Sequence, residues 1–291
     1  MSNIPEILAG KVLISGAIIL QTGLHIGGET EAIEHGRMGN IILRNQLTNQ
    51  PYIPGSSLRG KLRSLLELRL GKAQNWSIRR DDDGKRVVSI HVCIDRDDDT
   101  PAAPNQHPAF FKDEEFKETG EICPVCWIFG MPAEASGGHS TRLYVDDCLL
   151  EEELSTEETE MKWEAVIDRI TSAAVPRRVE RVPKDCRFSL SLSYEIYQNG
   201  ADSPHPNDID RLFDLFTLLV ELEDYYIGGS GSRGYGSIAF ADLAVRWKPR
   251  GWYEQEKLSE PQLINGENKT PIEIVKNFKT EIRTKLMEVE A

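Results

Sequence analysis

A chain of 291 residues, 40% of them hydrophobic, has apolar material for one large domain or two small ones. Its net charge of −13 argues against a uniformly basic nucleic-acid-binding surface, and no stretch reaches the roughly 18 apolar residues of a spanning helix. Five cysteines, an odd number behind an N-terminus without a basic start and apolar run, point to a cytoplasmic protein with thiols or metal ligands and away from a disulfide framework.

Lys11 to Thr22 reads as a strand entering a glycine-bearing loop, TGLHIGG, and a second loop, ETEAIEHGRMGN, leads to the apolar IIL. In YIPGSSLRGKLRSLLELRL, Pro54 and Gly55 predict a turn, Ser56 or Ser57 a cap, and Leu58, Leu62, Leu65 and Leu66 one face of a helix. Two hydroxyls and free amides at this helix start, beside Arg59, Lys61 and Arg63, compose a phosphate seat. The same residues also describe an ordinary capped helix with a basic outer face.

Residues 73 to 140 form a polar, periodicity-poor insertion. It carries His91 and Cys93 in HVC, and Cys123 and Cys126 in CPVC, which suit a closed four-ligand Zn2+ site of structural type. A segment without a hydrophobic core of its own gains its ordering energy from such a metal. His107 and His139 are the alternative imidazoles, and buried free thiols are the reading without metal. Cys148 and Cys186 fall in strand-like surroundings and are expected in the core.

The acidic runs, RRDDDGK and DRDDD near residues 79 to 99 and EEELSTEETEMKWE from 151, read as solvated loops or faces. IDRITSAAVPRRVERV, from Ile167 to Val182, sets Arg169, Arg177, Arg178 and Arg181 among apolar residues around Pro176. It is either a solvated hairpin or a projecting basic one, whose apolar tip enters between bases while its arginines hold phosphates.

RFSLSLSYEIY alternates as a strand, and Asn207 to Leu222 has helical spacing behind an Asn207 or Asp208 cap, with Ile209, Leu212, Phe213, Phe216, Leu219 and Val220 on its apolar face. GGSGSRGYG follows, then SIAFADLAVRW, a strand with a one-residue phase change of the kind a bulge produces. Gly229, Gly231 and Gly234 satisfy G-x-G-x-x-G, but a helix-to-strand loop cannot aim a helix N-terminus at a pyrophosphate. A backbone laid against a polyanion fits better, with Ser232 and Arg233 at phosphates and Tyr235 as a stacking surface. A tail helix opens at Thr270 and Pro271, with Ile274, Val275, Phe278, Ile282 and Leu286 at core spacing. Strand, helix, strand, helix, strand with long insertions predicts an α+β, ferredoxin-like core over residues 1–250, followed by a C-terminal extension over 251–291. No paired carboxylates or nucleophile commit to catalysis; His25 is either a hydrogen-bonding residue or an acid.

TGLHIGG, YIPGSSLRGKLRSLLE, CPVCWIFG, IDRITSAAVPRRVER and YIGGSGSRGYG, in that order, resemble the repeated backbone subunit of type III CRISPR effector complexes, in the repeat-associated mysterious protein superfamily. The likeness runs over residues 11 to 247. It implies an RNA-recognition-motif-like core, a thumb hairpin at 163–185 that kinks a guide–target duplex, a zinc-bearing insertion, and guide RNA, target RNA and paralogous backbone subunits as partners. It implies RNA contact by the glycine loop and the 56–63 cluster. Where the family carries an aspartate for cutting target RNA with a divalent metal, Mg2+ or Mn2+, this sequence has Gly39, and Ile41 and Asn45 replace the following Pro and Asp. Glu29, Glu31 and Glu34 are the nearby carboxylates. Three readings follow: a non-cutting RNA-binding scaffold, an RNA-guided endoribonuclease, and a zinc protein-interaction module that would need no basic motifs.

Overall fold

The computed structural model describes residues 7–27, 41–80, 86–94, 118–132, 138–155, 158–198, 205–254 and 259–288. In chain order its main elements are β1 (Leu8–Leu20), β2 (Tyr52–Ile53), α1 (Gly55–Arg69), β3 (Trp76–Arg80), β4 (Arg86–Ile90), α2 (Pro124–Phe129), β5 (Leu143–Val145), β6 (Cys148–Leu149), β7 (Glu160–Ile167), β8 (Ala174–Arg181) and β9 (Arg187–Tyr197). Then come α3 (Pro206–Glu223), β10 (Ile238–Pro249), β11 (Gln262–Leu263), α4 (Pro271–Asn277), a π-helical turn (Phe278–Arg283) and α5 (Thr284–Glu288).

The sheet is antiparallel in the order β11-β10-β1-β9-β5, giving a mixed α/β fold. β1 sits in the middle because its period-two apolar residues Val12, Ile14, Ile18 and Leu20 share one core with Phe188, Leu190, Leu192, Tyr194 and Ile196 of β9. Helices α1 and α3 join the same core through Leu58, Leu62, Leu65 and Leu66, and through Leu212, Phe216 and Leu219. Each such side chain contributes about 1.5–3 kcal/mol on full burial. The phase change expected in β10 is a bulge: Ser15 pairs with Ala244 but Ala17 with Ala241, and Asp242 takes a positive φ of 55°.

Several expectations need correcting. The start of α3 is capped by His205, whose Nδ1 accepts from Asn207 N at 3.2 Å, not by Asn207 or Asp208. The apolar face of α3 is wider than its spacing indicated. Leu215, Leu218 and Leu222 are buried, whereas Phe213 is 36% exposed, at the edge of this face, where Phe278 of the tail packs against Phe213 and Phe216. The tail is interrupted by the π-helical turn, yet Ile274, Phe278, Ile282 and Leu286 are all buried as expected. The described parts of 73–140 do not stand apart from the core. Trp76, Val92, Ile94, Val125, Ile128 and Phe129 belong to the main apolar cluster.

Asp208 lies fully buried between α2, α3 and β9 instead of capping a helix. It accepts from Trp127 Nε1 at 2.7 Å, from Tyr197 N at 2.8 Å and from the Arg142 guanidinium at 3.3 Å. Burial pushes its carboxyl pKa up, and Arg142 opposes the shift. Arg142, 1% exposed, also stacks 4.0 Å over the Tyr197 ring. Asp208→Ala takes the carboxylate from beside a buried guanidinium, so a loss of about 3–5 kcal/mol is expected in chemical unfolding. Glu151→Ala, which breaks an exposed pair with Arg187, should change stability by less than about 1 kcal/mol.

Candidate metal centre and nucleic-acid interface

His91, Cys93, Cys123 and Cys126 converge in the core, their ligand atoms within 4.8 Å of one another. A tetrahedral thiolate site has edges of about 3.8 Å, so these donors lie a small adjustment from coordination geometry. His91 Nδ1 is 3.0 Å from Ala73 O, which fixes the proton there and leaves Nε2, 4.0 Å from Cys93 Sγ, as the ligand atom. Backbone amides already face the sulfurs: Cys93 N donates to Cys126 Sγ at 3.2 Å and Cys123 N to Cys93 Sγ at 3.3 Å. The Cys123 thiol is held well below its ordinary pKa by hydrogen bonds from Cys126 and Cys93, then by His91. One imidazole and three free thiols therefore fit a metal ion, and His139 is not of the set; its ring packs on Trp127 at 4.9 Å. Cys148 is core as expected, while Cys186 is only half-buried.

The basic face expected of α1 turns largely inward. Arg63 is 7% exposed; its Nε pairs with Glu67 at 3.1 Å, and its terminal nitrogens donate to Gly130 O at 3.2 Å and His91 O at 2.7 Å. Glu67 in turn accepts from His91 N at 3.0 Å. Arg59 donates to Phe129 O at 2.6 Å and Thr141 Oγ1 at 3.2 Å. These two arginines brace the segments that carry the four donors, and their hydrogen bonds go to groups of the chain itself. Neither serine makes a cap; Pro54 occupies that position and Asp147 Oδ1 accepts from Gly55 N at 2.8 Å, placing a protein carboxylate at the helix start. Ser56 and Ser57 are exposed. Lys61 is half-buried with its ammonium 4.1 Å over the Tyr226 ring, and burial lowers its pKa.

The basic hairpin is formed by β7 and β8, Glu160 to Arg181, with Asp168 Oδ1 accepting from Ile170 N and Thr171 N across the turn. Its register sets Trp163 opposite Arg178, Glu164 opposite Arg177 and Glu160 opposite Arg181. Arg178 lies 4.4 Å over the exposed Trp163 ring. Glu164, 10% exposed, accepts from Arg177 at 2.8 Å and from Arg233 of the glycine loop at 2.9 Å, joining hairpin to loop. Beside it opens a cleft of about 630 Å3 lined by Lys162, Glu164, Ala165, Val166, Ile167, Arg169 and Arg233. The acidic run from 151 is therefore not merely solvated: Glu160 pairs with Arg181, and Glu164 holds two guanidiniums.

Tyr235 offers no stacking surface. It is 1% exposed, its ring held between Lys162 at 4.5 Å and Arg181 at 4.6 Å, and burial raises its pKa to about 12. The glycines also have internal reasons. A Cβ at Gly231 would lie 2.1 Å from the Tyr226 ring, and one at Gly236, at φ 72°, would lie 1.9 Å from Ile227 O. Gly229, Ser232, Arg233 and Gly234 remain exposed.

His25 sits where three segments meet. Its Nδ1 is 2.9 Å from Glu180 O, and its own carbonyl accepts from Gly229 N at 2.8 Å. The Glu180 carboxylate accepts from Ile42 N at 3.1 Å, Arg44 at 2.7 Å and Thr159 Oγ1 at 3.0 Å, so it fastens segment 41–44 to the root of the hairpin. Gly39, Glu29, Glu31, Glu34 and His107 lie outside the described residues. Sequence reasoning missed Glu164, Glu180, Lys162 and Asp147. The one available signal was the pairing of EMKWEAVI with AVPRRVER as opposite-charge strands, which needs the hairpin register.

A family model described as the RAMP superfamily matches residues 18–239. The chain is 32% identical over 265 residues to a protein of Methanothermobacter thermautotrophicus named CRISPR system Cms endoribonuclease Csm3, covering 84% of this chain and 89% of that one. A protein of the same name from Methanocaldococcus jannaschii is 31% identical over 261 residues, with 88% of each chain covered. The fold is similar to the Methanopyrus kandleri Csm3 crystal structure, with a TM-score of 0.54, 23% identity, and 94% and 97% of the two chains covered. It is likewise similar to a chain of the Csm3–Csm4 subcomplex of the type III-A CRISPR-Cas interference complex, with a TM-score of 0.53, 24% identity, and 94% and 96% covered. With a family match over residues 18–239 and relatives above 30% identity over more than four fifths of its length, the chain belongs to the RAMP superfamily as a Csm3-type backbone subunit of type III CRISPR systems.

Proposed function

We propose that this chain binds guide RNA as a repeated backbone subunit and does not itself cut the paired target RNA. In this reading residues 1–250 are a ferredoxin-like unit, 73–140 its metal-bearing insertion, β7–β8 its thumb, and 251–291 an extension packed on α3. The carrying observation is the junction at Glu164, where Arg177 of the hairpin and Arg233 of the glycine loop meet beside the cleft. Exposed Trp163, Ile167 and Ile170 give the hairpin apolar surface to replace lost base stacking. The Csm3–Csm4 subcomplex supports a neighbouring effector subunit as partner. Among the described residues no helix is long and apolar enough to cross a membrane.

Arg233 and Arg169 are the exposed cations of the cleft. Arg233→Ala with Arg169→Ala should weaken guide binding to a similar degree for unrelated sequences and lower the salt slope by about 0.7 per lost phosphate contact. Unchanged affinity and slope in a filter-binding titration would refute the cleft as an RNA seat. Arg63→Ala should instead lower thermal stability, since that side chain is buried.

The metal is zinc in this reading, because a buried set of three thiols and one imidazole without an open position suits a structural d10 ion. Elemental analysis of the purified chain should find about one zinc, largely lost in Cys123→Ser and Cys126→Ser. Retention of full zinc by both variants would reject the assignment.

A second reading, target cleavage by this subunit, is favoured by the endoribonuclease names of the relatives. The aspartate expected from the resemblance is Gly39, and loss of a metal-holding or acid–base carboxylate typically costs about 10²–10⁴-fold in rate. Assembled complex should leave bound target uncut opposite this subunit, and Gly39→Asp should gain a metal-dependent cut there. Parent complex that already cuts, and stops when Glu29, Glu31 or Glu34 becomes alanine, would establish the second reading.

A further inference from the structure

His25 has one ring nitrogen assigned by the fold and the other edge of its ring bordered by two glycines. Leu24 and Val182 exchange backbone hydrogen bonds of 2.9 and 2.8 Å, which lays the next residue across β8 and brings His25 Nδ1 to 2.9 Å from Glu180 O. A carbonyl oxygen only accepts, so Nδ1 carries a proton, and the tautomer that this contact selects has its lone pair on Nε2. The glycine loop is stapled to the same residue through Gly229 N and His25 O at 2.8 Å. A Cβ added at Gly27 would lie 3.7 Å from Nε2, and one added at Gly229 would lie 3.7 Å from Cδ2. Both glycines thus border one edge of the imidazole, and side chains there would cover it.

We propose that His25 Nε2 accepts a hydrogen bond from a ribose 2′-hydroxyl, making this residue the point at which the chain distinguishes RNA from DNA. The inference rests on the RNA-binding reading given above. A glycine-lined backbone with an exposed guanidinium approaches sugars and phosphates, not base edges. Of the groups on a sugar–phosphate backbone, only the 2′-hydroxyl donates, and it is present on every ribonucleotide whatever the base. A fixed acceptor is matched to that donor, and DNA leaves it unpaired.

The full-length chain is titrated with a short single-stranded RNA, all-ribose or carrying a single 2′-fluoro group scanned along the strand. Fluorine keeps the size of the hydroxyl but cannot donate. The parent should lose about tenfold in affinity at a fluoro position facing His25. His25→Ala should bind all-ribose RNA about tenfold more weakly and show no further loss at that position. A parent indifferent to fluorine everywhere overturns the proposal without need of any variant, and so does His25→Ala that keeps the full fluoro penalty. A parent that binds none of the RNAs overturns the RNA-binding reading as well.

Discussion

The buried pair of Arg63 and Glu67 determines where the metal-ligand segments sit. The two side chains lie one turn apart on α1 at 3.1 Å and both are nearly inaccessible to water. Such a pair is tolerable only when its remaining hydrogen-bonding capacity is filled. Here the filling groups are the carbonyls of His91 and Gly130 and the amide of His91. The leucines of α1 fix the helix on the sheet, and its ion pair then fixes the two ligand-bearing segments on the helix. Arg59 repeats the device one turn earlier with Phe129 O and Thr141. The clustering of the four donors and the packing of the core therefore rest on the same contacts, and the described parts of the insertion need no separate core.

Charge follows a related logic. A protein of net charge −13 can bind RNA only if local fields override the total. The hairpin's carboxylates hold arginines: Glu164 holds Arg177 and Arg233 of the glycine loop, and Glu160 holds Arg181. Each pairing holds a long, flexible cation in a defined place before ligand arrives. Arg233, about half exposed, keeps its outer face open to a phosphate, whereas Arg181 is committed to the protein. The same residue type is left half open to solvent in one position and serves as scaffold in the other.

Elements with strong periodicity were legible in the sequence. β9 and α1 matched because alternating residues and i, i+3, i+4 leucines leave one arrangement that buries them. The convergence of His91, Cys93, Cys123 and Cys126 was legible because ligand chemistry narrows the choice of residue type. The side-chain directions of Arg59, Arg63 and Tyr235 were not legible, since a helix or loop surrounded on several sides has no solvent face to assign from spacing alone. Asp208 shows the same limit: a residue fit for a helix cap became a buried acceptor because β9 and α2 supply donors that no local pattern announces.

The glycine loop joins these arguments. Its composition suggests flexibility, but the Tyr226 ring and the Ile227 carbonyl occupy the space where side chains at Gly231 and Gly236 would go. Close packing without side chains restricts the loop as firmly as a hydrophobic contact would. Tyr235 packs against Lys162 and Arg181 of the hairpin, and Arg233 reaches Glu164 on the same face. Loop and hairpin are thus joined at several points on one hairpin face, and the groups they present are held in place before any ligand arrives. A surface fixed in this way loses little conformational entropy when a ligand docks on it.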